Sequence, residues 1–149
     1  MKVQKEESKK FDLAKFRKNV LSYIVGQDEA VYDVTRTLAI NYTSVNPRNK
    51  SHILIMGPSG TGKTEMINVM AKELDIPIFK ADATAYTKAG YVGKDVPSML
   101  TGLVEAAGGD LKRAQEGILI IDEIDKKSSS SKDDVSGKAV LHSMLKNIG

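Results

Sequence analysis

The fold is decided by the stretch Gly57-Pro58-Ser59-Gly60-Thr61-Gly62-Lys63-Thr64, in a chain of 149 residues. This stretch satisfies the pattern G-x-x-x-x-G-K-[ST] of phosphate-binding loops. It follows the apolar run His52-Ile53-Leu54-Ile55-Met56, which predicts a buried strand, and it opens a helical pattern that reaches Leu74. A strand before the loop and a helix after it are the context that the phosphate-binding mechanism requires.

Each part of this loop has a chemical task in binding phosphate. Glycines let successive backbone N–H groups turn towards an anion, and the helix N-terminus adds its positive dipole. Lys63 supplies a point charge for the terminal phosphates, and Thr64 offers a hydroxyl to Mg²⁺. We therefore predict that all eight residues bind nucleotide. The alternative, a glycine-rich turn without a ligand, leaves Lys63 among backbone amides with no counter-anion.

A second motif follows the most apolar stretch of the chain, Ile118-Leu119-Ile120-Ile121. This strand pattern ends in Asp122 and Glu123, and ligands of open parallel sheets lie at the carboxyl ends of strands. Asp122 is the predicted Mg²⁺ residue beside Thr64. Glu123 can orient or deprotonate an attacking water, which favours hydrolysis over nucleotide storage. The alternative is an acidic turn after a core strand.

The remaining pattern alternates helices with strands, which indicates an α/β fold with a mainly parallel sheet. We expect Asp28 to cap the second helix and Leu111–Gln115 to extend the fourth. The predicted elements besides those above are helices at Phe11–Tyr23, Asp28 to about Tyr42, Val96–Ala107 and Val135–Ile148, and a strand at Ile76–Ala81.

Composition excludes several classes of protein. The chain has no cysteine, which rules out disulfides, thiolate zinc sites and cysteine nucleophiles within it. It has no apolar run of membrane-spanning length and no signal-peptide pattern, so we predict a cytoplasmic protein without a membrane partner. The net charge is +3, and the excess positive charge lies in the first 20 residues. One basic segment with a single aromatic pair does not predict nucleic-acid binding.

Several further stretches closely resemble the ClpX-type protein unfoldases of the AAA+ superfamily. The similarity begins near Tyr23-Ile24-Val25-Gly26-Gln27 and continues to the end of the chain. The stretches that carry it are Ala81-Asp82-Ala83-Thr84, Gly90-Tyr91-Val92-Gly93-Lys94-Asp95-Val96, Ile121-Asp122-Glu123-Ile124-Asp125-Lys126 and Asp134-Val135-Ser136-Gly137. The HslU-type unfoldases share the Gly-Tyr-Val-Gly loop, but they normally carry a large insertion before the acidic strand.

The resemblance implies roles for further residues. Ile24 and Val25 match the family's adenine contacts, and Tyr91, Val92 and Gly93 match the pore loop that grips a translocating polypeptide. Without the resemblance, Tyr91 is an ordinary packed loop tyrosine. The segment 128–136 corresponds to a second pore loop, although its serine run differs from the family's usual sequence.

The resemblance also implies an organisation. Residues 1–22 form a basic helical segment, and residues 23–149 form a P-loop large subdomain that lacks its late strands and helical lid. Implied cofactors are ATP or ADP with Mg²⁺. Implied partners are further copies in a hexameric ring, unfolded protein substrates, and a ClpP-like peptidase that docks through regions outside this sequence.

The implied sheet order, 5-1-4-3-2, separates the strand before the phosphate loop from the strand before Asp122 by a fourth strand. Since unpaired backbone groups are costly, we expect one of three arrangements. The two strands pair directly, another copy fills the gap, or the basic N-terminal segment fills it.

Three functions remain open from the sequence. The first is the ATP-hydrolysing part of a protein unfoldase, of ClpX or HslU type. The second is a nucleotide-binding module without turnover, because the arginine supplied in trans is absent. A replication or clamp-loading ATPase is disfavoured by Tyr91-Val92-Gly93.

Overall fold

The computed structural model describes residues 11–44, 46, 50–87, 94–95 and 97–124, and the chain divides into two compact units. The first unit comprises Met1–Leu74 and the second comprises Asp75–Gly149. The predicted pore loop at Tyr91, Val92 and Gly93 lies outside the described residues. The same is true of the segment 128–136 and of the last predicted helix.

In the first unit the described residues form three helices: α1 (Leu13–Tyr23), α2 (Asp28–Thr43) and α3 (Lys63–Leu74). Helix α1 packs against both α2 and α3. The apolar positions recur at helical spacing, and the buried residues of the three helices are Phe16, Val20, Val31, Val34, Thr35, Leu38, Ala39, Met66, Ile67, Met70 and Ala71.

Polar side chains fix how these helices pack. The Arg17 guanidinium donates to Thr35 Oγ1 at 3.1 Å and lies 3.7 Å from the centroid of the Tyr32 ring. Thr35 is fully buried, and its hydroxyl in turn donates to the Tyr32 carbonyl. Asn19 donates to Glu73 Oε2 at 2.9 Å, which joins α1 to α3. Because this buried hydroxyl both accepts and donates, its hydrogen bonds offset the cost of desolvation, and a packing of α1 on α2 without the Arg17 contact would lose that compensation.

Helix α2 begins differently from our expectation. Its N-cap is Gln27, and Asp28 is already the first helical residue. Asp28 therefore lies one position too far along the chain to cap the helix, although its charge still faces the positive end of the helix dipole. By contrast, α1 is capped by Asp12, whose carboxylate accepts from the Lys15 N–H at 3.0 Å.

The strand predicted for His52–Met56 is not formed. Residues 51–58 have no regular secondary structure, and the side chains of Leu54 and Met56 are 73% and 83% exposed. The segment is attached at its start, where Asn41 exchanges two hydrogen bonds of 2.8 Å with the Ser51 backbone. A strand exists only when a neighbouring strand pairs with it, and neither sheet of the described residues includes this segment.

In the second unit the described residues form two pairs of parallel strands. β1 (Ile78–Asp82) pairs with β4 (Ile118–Asp122), and β2 (Tyr86–Thr87) pairs with β3 (Lys94–Asp95). The expected direct pairing of the segment before the phosphate loop with Ile118–Ile121 is wrong, since neither sheet of the described residues includes that segment. Parallel pairing and the helices between the strands agree with the predicted α/β class.

Helix α4 (Pro97–Ala106) lies against β1 and β4, and the short helix α5 (Leu111–Gln115) follows it. α5 is a separate helix because Asp110 caps it, accepting from the N–H groups of Lys112 and Arg113. The core of this unit is a cluster of Ala81, Ala83, Tyr86 and Met99, with Phe79, Leu119, Ile121 and Ile124 packed against it. Within the described part of the chain, no helix is both long and apolar enough to span a bilayer.

Contact between α4 and β1 depends on the absence of a side chain at Gly102. A Cβ there would lie 2.4 Å from Cζ of Phe79. We expect Gly102→Ala to lower the free energy of unfolding by about 1–2 kcal/mol, because overpacking outweighs the better helix propensity of alanine. Urea unfolding followed by circular dichroism measures this change.

Two variants control this prediction. Thr101→Ala, at an exposed position on the same helix, should leave stability unchanged or slightly raised. Gly102→Ala introduced into a Phe79→Leu background should cost less than it does alone. An equal cost in both backgrounds would show that the Phe79 ring is not the cause.

Candidate functional site

The phosphate loop lies in the first unit, directly before α3. Gly60 and Gly62 have φ values of +80° and +81°, a left-handed conformation that L side chains rarely adopt. No atom lies within 4 Å of a Cβ built at either position, so backbone conformation alone requires glycine there. The two glycines thus allow a tight turn directly before Lys63, the first residue of α3.

Lys63 folds back over its own loop. Its ammonium donates to the carbonyl oxygens of Gly57 at 2.8 Å and Pro58 at 2.6 Å. The Thr61 hydroxyl also donates to the Pro58 carbonyl, at 2.9 Å. The loop is therefore closed by its own polar groups, with one fixed positive charge beside the N-terminus of α3. The first N–H groups of a helix have no acceptor within it, so this end favours an anion.

The predicted adenine segment lies in the same unit and is connected to this loop. The Ile24 N–H donates to the Val20 carbonyl at 3.1 Å and ends α1, while Val25 is 90% exposed. The chain then turns at Gly26, with φ +76°, and Gln27 donates a long hydrogen bond of 3.5 Å to the Thr61 carbonyl. The exposed Val25 thus lies two residues before Gln27, whose side chain contacts the phosphate loop.

The acidic motif lies in the second unit, at the carboxyl end of β4. Asp122 is the last residue of the strand, and Glu123 follows it with φ +57°. The Glu123 N–H donates to Asp122 Oδ1 at 2.9 Å, and the Lys80 ammonium lies 2.8 Å from Asp122 Oδ2. The hydrogen bond to Asp122 and the attraction of its carboxylate raise the pKa of Lys80 above its ordinary value.

Neither Lys80 nor Asp82 was predicted to be a site residue, although Asp82 lies in the stretch Ala81-Asp82-Ala83-Thr84. Both lie on β1, and the register places Asp82 opposite Asp122 at the same edge of the sheet. Asp82 caps the 3-10 turn Ala83–Ala85. Its Oδ1 accepts from the N–H and the hydroxyl of Thr84. In the sequence, Lys80 and Asp82 are two charged residues two positions apart at the end of a strand. Their proximity to Asp122 follows only from the pairing of that strand with β4.

The chemistry of the donor groups fits the predicted metal. Thr64 offers a hydroxyl and Asp122 a carboxylate, the hard oxygen donors that Mg²⁺ prefers. Across the described ranges no three acidic or histidine side chains cluster closely enough to hold a metal ion. Mg²⁺ in nucleotide sites needs only one or two protein ligands besides phosphates and water, so this composition is compatible with it.

Comparison with known proteins gives the family. The family profile described as "ATPase family associated with various cellular activities (AAA)" matches residues 53–149, more than half of the chain. The chain belongs to this AAA family. The matched region begins just before the phosphate loop and includes Asp122 and Glu123.

Among curated relatives of this AAA chain are subunits named "ATP-dependent Clp protease ATP-binding subunit ClpX". The Treponema denticola protein is 40% identical over 85% of the chain, and the Porphyromonas gingivalis protein is 43% identical over 84%. The Azotobacter vinelandii protein is 49% identical over 66% of the chain. The chain spans 34%, 34% and 24% of the length of these relatives, respectively. The predicted resemblance to ClpX-type AAA+ proteins is confirmed.

The positive φ of Glu123 gives a test of the local backbone. We expect Glu123→Gly to be more stable than Glu123→Ala by about 1 kcal/mol, because alanine is strained in this conformation and glycine is not. Chemical denaturation of the two variants measures the difference. Glu116, at φ −88°, is the matched control: there alanine should be more stable than glycine. The same order at both positions would contradict the left-handed conformation of Glu123.

Proposed function

We propose that this chain binds ATP or ADP through Gly57–Thr64 and belongs to a protein that hydrolyses ATP. The observation that carries the proposal is the loop itself, which two left-handed glycines shape and which holds the Lys63 ammonium beside the start of α3. Backbone N–H groups, a helix N-terminus and a lysine are together the elements that bind polyphosphate. Membership of the AAA family supports the same conclusion.

The proposed roles follow from the chemistry of each group. Lys63 binds the terminal phosphates, and the exposed Val25 with Ile24 contacts adenine. Thr64 and Asp122 would hold Mg²⁺, which neutralises charge on the phosphates when it is bound. Glu123 takes up a proton from the attacking water or orients that water. That Asp122 and Glu123 act on the nucleotide held by the phosphate loop is part of the proposal.

For the longer protein we propose an unfoldase that works as a homo-oligomeric, hexameric ring. Relatives named as ATP-binding subunits of an ATP-dependent Clp protease support this proposal, and so does the Gly-Tyr-Val-Gly sequence at residues 90–93. Tyr91 and Val92 would press on an unfolded chain without requiring a sequence, since they offer apolar surface between glycines. A ClpP-like peptidase as partner and a cytoplasmic location are parts of the same proposal.

The domain division stays a prediction. A basic segment at 1–22 followed by a nucleotide-binding subdomain at 23–149 is proposed from the sequence, and most of α1 falls within the first segment. The contacts of Arg17 with α2 and of Asn19 with α3 imply that removing α1 would destabilise the first unit.

Replacing Lys63 tests nucleotide binding. We expect Lys63→Ala to weaken binding of a fluorescent ADP analogue by about tenfold or more, because a charge-assisted hydrogen bond to phosphate is lost. Lys72→Ala removes the same charge from the exposed last turn of the same helix and should leave affinity unchanged. Equal affinity of the Lys63 variant and the unaltered chain would overturn the assignment of the phosphate loop.

Replacing Glu123 tests whether the chain turns ATP over. We expect Glu123→Gln to bind ATP with unchanged affinity and to lower the hydrolysis rate by about 100-fold or more, because the amide cannot accept a proton. Phosphate release and equilibrium binding are measured on the same preparation. If the unaltered chain binds ATP but releases phosphate no faster than buffer does, it is a nucleotide-binding module without turnover.

A further inference from the structure

Lys80 and Asp122 form a cross-strand pair in the second unit, and Lys80 has no role in the proposed function. In the register of β1 and β4, Lys80 lies opposite Ile120 and Asp82 lies opposite Asp122. Side chains two residues apart on a strand share a face, so Lys80 and Asp122 are diagonal neighbours on one face. A diagonal pair is within reach only of long side chains, and the lysine ammonium spans the gap to Oδ2 at 2.8 Å.

The Asp122 carboxylate is held at both of its oxygens. Oδ1 accepts the Glu123 N–H at 2.9 Å, and Oδ2 faces the Lys80 ammonium. The left-handed conformation of Glu123 accompanies the first of these contacts. A donor on each oxygen restricts rotation of the carboxylate about the Cβ–Cγ bond and so orients the group.

Core packing does not account for the lysine. Its side chain is 52% exposed, and Asp122 is 35% exposed. An ion pair this exposed adds little to stability, since solvent screens it. The hydrogen bond to Asp122, together with the charges of Asp122, Glu123 and Asp82, raises the pKa of Lys80 above its ordinary value.

We propose that Lys80 is a positioning residue that orients the Asp122 carboxylate for Mg²⁺. This role rests on the proposed function, because Lys80 acts only through Asp122. Groups that hydrogen-bond a metal ligand fix its orientation, and their removal typically weakens metal binding. The opposite idea is that the ammonium competes with Mg²⁺ for the carboxylate, and it predicts that removing Lys80 strengthens metal binding.

A metal-free experiment tests the orientation directly. In ¹⁵N-labelled protein with EDTA, Lys80→Met should move the Glu123 amide proton upfield, because a carboxylate that has lost the Lys80 contact holds Oδ1 less closely against that N–H. Lys80→Arg keeps a donor and should restore the shift of the unaltered chain. Lys112→Met removes one positive charge from exposed α5 and should leave the Glu123 signal in place. An unchanged signal in Lys80→Met would overturn the positioning role.

A binding experiment tests the consequence for Mg²⁺. Affinity for a fluorescent ATP analogue is measured in EDTA and in Mg²⁺, and the ratio gives the metal-dependent gain. Lys80→Met should reduce this gain by about tenfold while affinity in EDTA stays unchanged. Lys80→Arg and Lys112→Met should both retain the gain.

The outcomes separate the inference from the function on which it rests. A gain that is unchanged or larger in Lys80→Met would overturn the positioning role, and a larger one would favour competition with the metal. If the unaltered chain fails to bind the nucleotide at all, the proposed function fails, and the Mg²⁺ role of Lys80 fails with it. In that event the Glu123 signal would still report whether Lys80 orients the carboxylate.

Discussion

The parallel pairing of β1 with β4 is the interaction on which the second unit depends. Its register, from Ile78 opposite Ile118 to Asp82 opposite Asp122, brings Phe79, Ala81, Leu119 and Ile121 into the cluster that α4 covers. The same register brings the charged residues to the carboxyl end, beside Glu123. A shift by one residue would turn each side chain to the opposite face, so the core and the acidic edge are specified together.

The first unit holds a tightly turned, glycine-containing loop at the start of a helix. The left-handed glycines cost conformational entropy, and α3 is anchored through Glu73 and through a face of buried methionines and isoleucine. Lys63 adds a closing contact from within the loop. The unit therefore presents a loop that its own hydrogen bonds have already shaped, which lowers the entropy lost when an anion binds.

Most of the helices and the strand β4 could be predicted, because the residue patterns that determine them are local in sequence. Helical spacing predicted α1 to α4 within a few residues, and the apolar run before Asp122 predicted β4. The prediction of a strand at His52–Met56 was wrong, because an apolar run does not show whether a neighbouring strand pairs with it. The predicted cap of α2 was wrong by one residue, because a spacing pattern does not define the start of a helix to a single residue. The Lys80–Asp122 pair was missed because the positions are 42 apart in numbering and only the register joins them.

A titration of ADP into the ¹⁵N-labelled chain tests most directly whether Gly57–Thr64 binds nucleotide phosphate. We expect the largest amide shifts at Gly60, Gly62, Lys63 and Thr64, since their N–H groups would face the phosphates. A smaller group of shifts should include Val25. The absence of shifts in the loop, or shifts confined to residues outside it, would contradict phosphate binding by Gly57–Thr64.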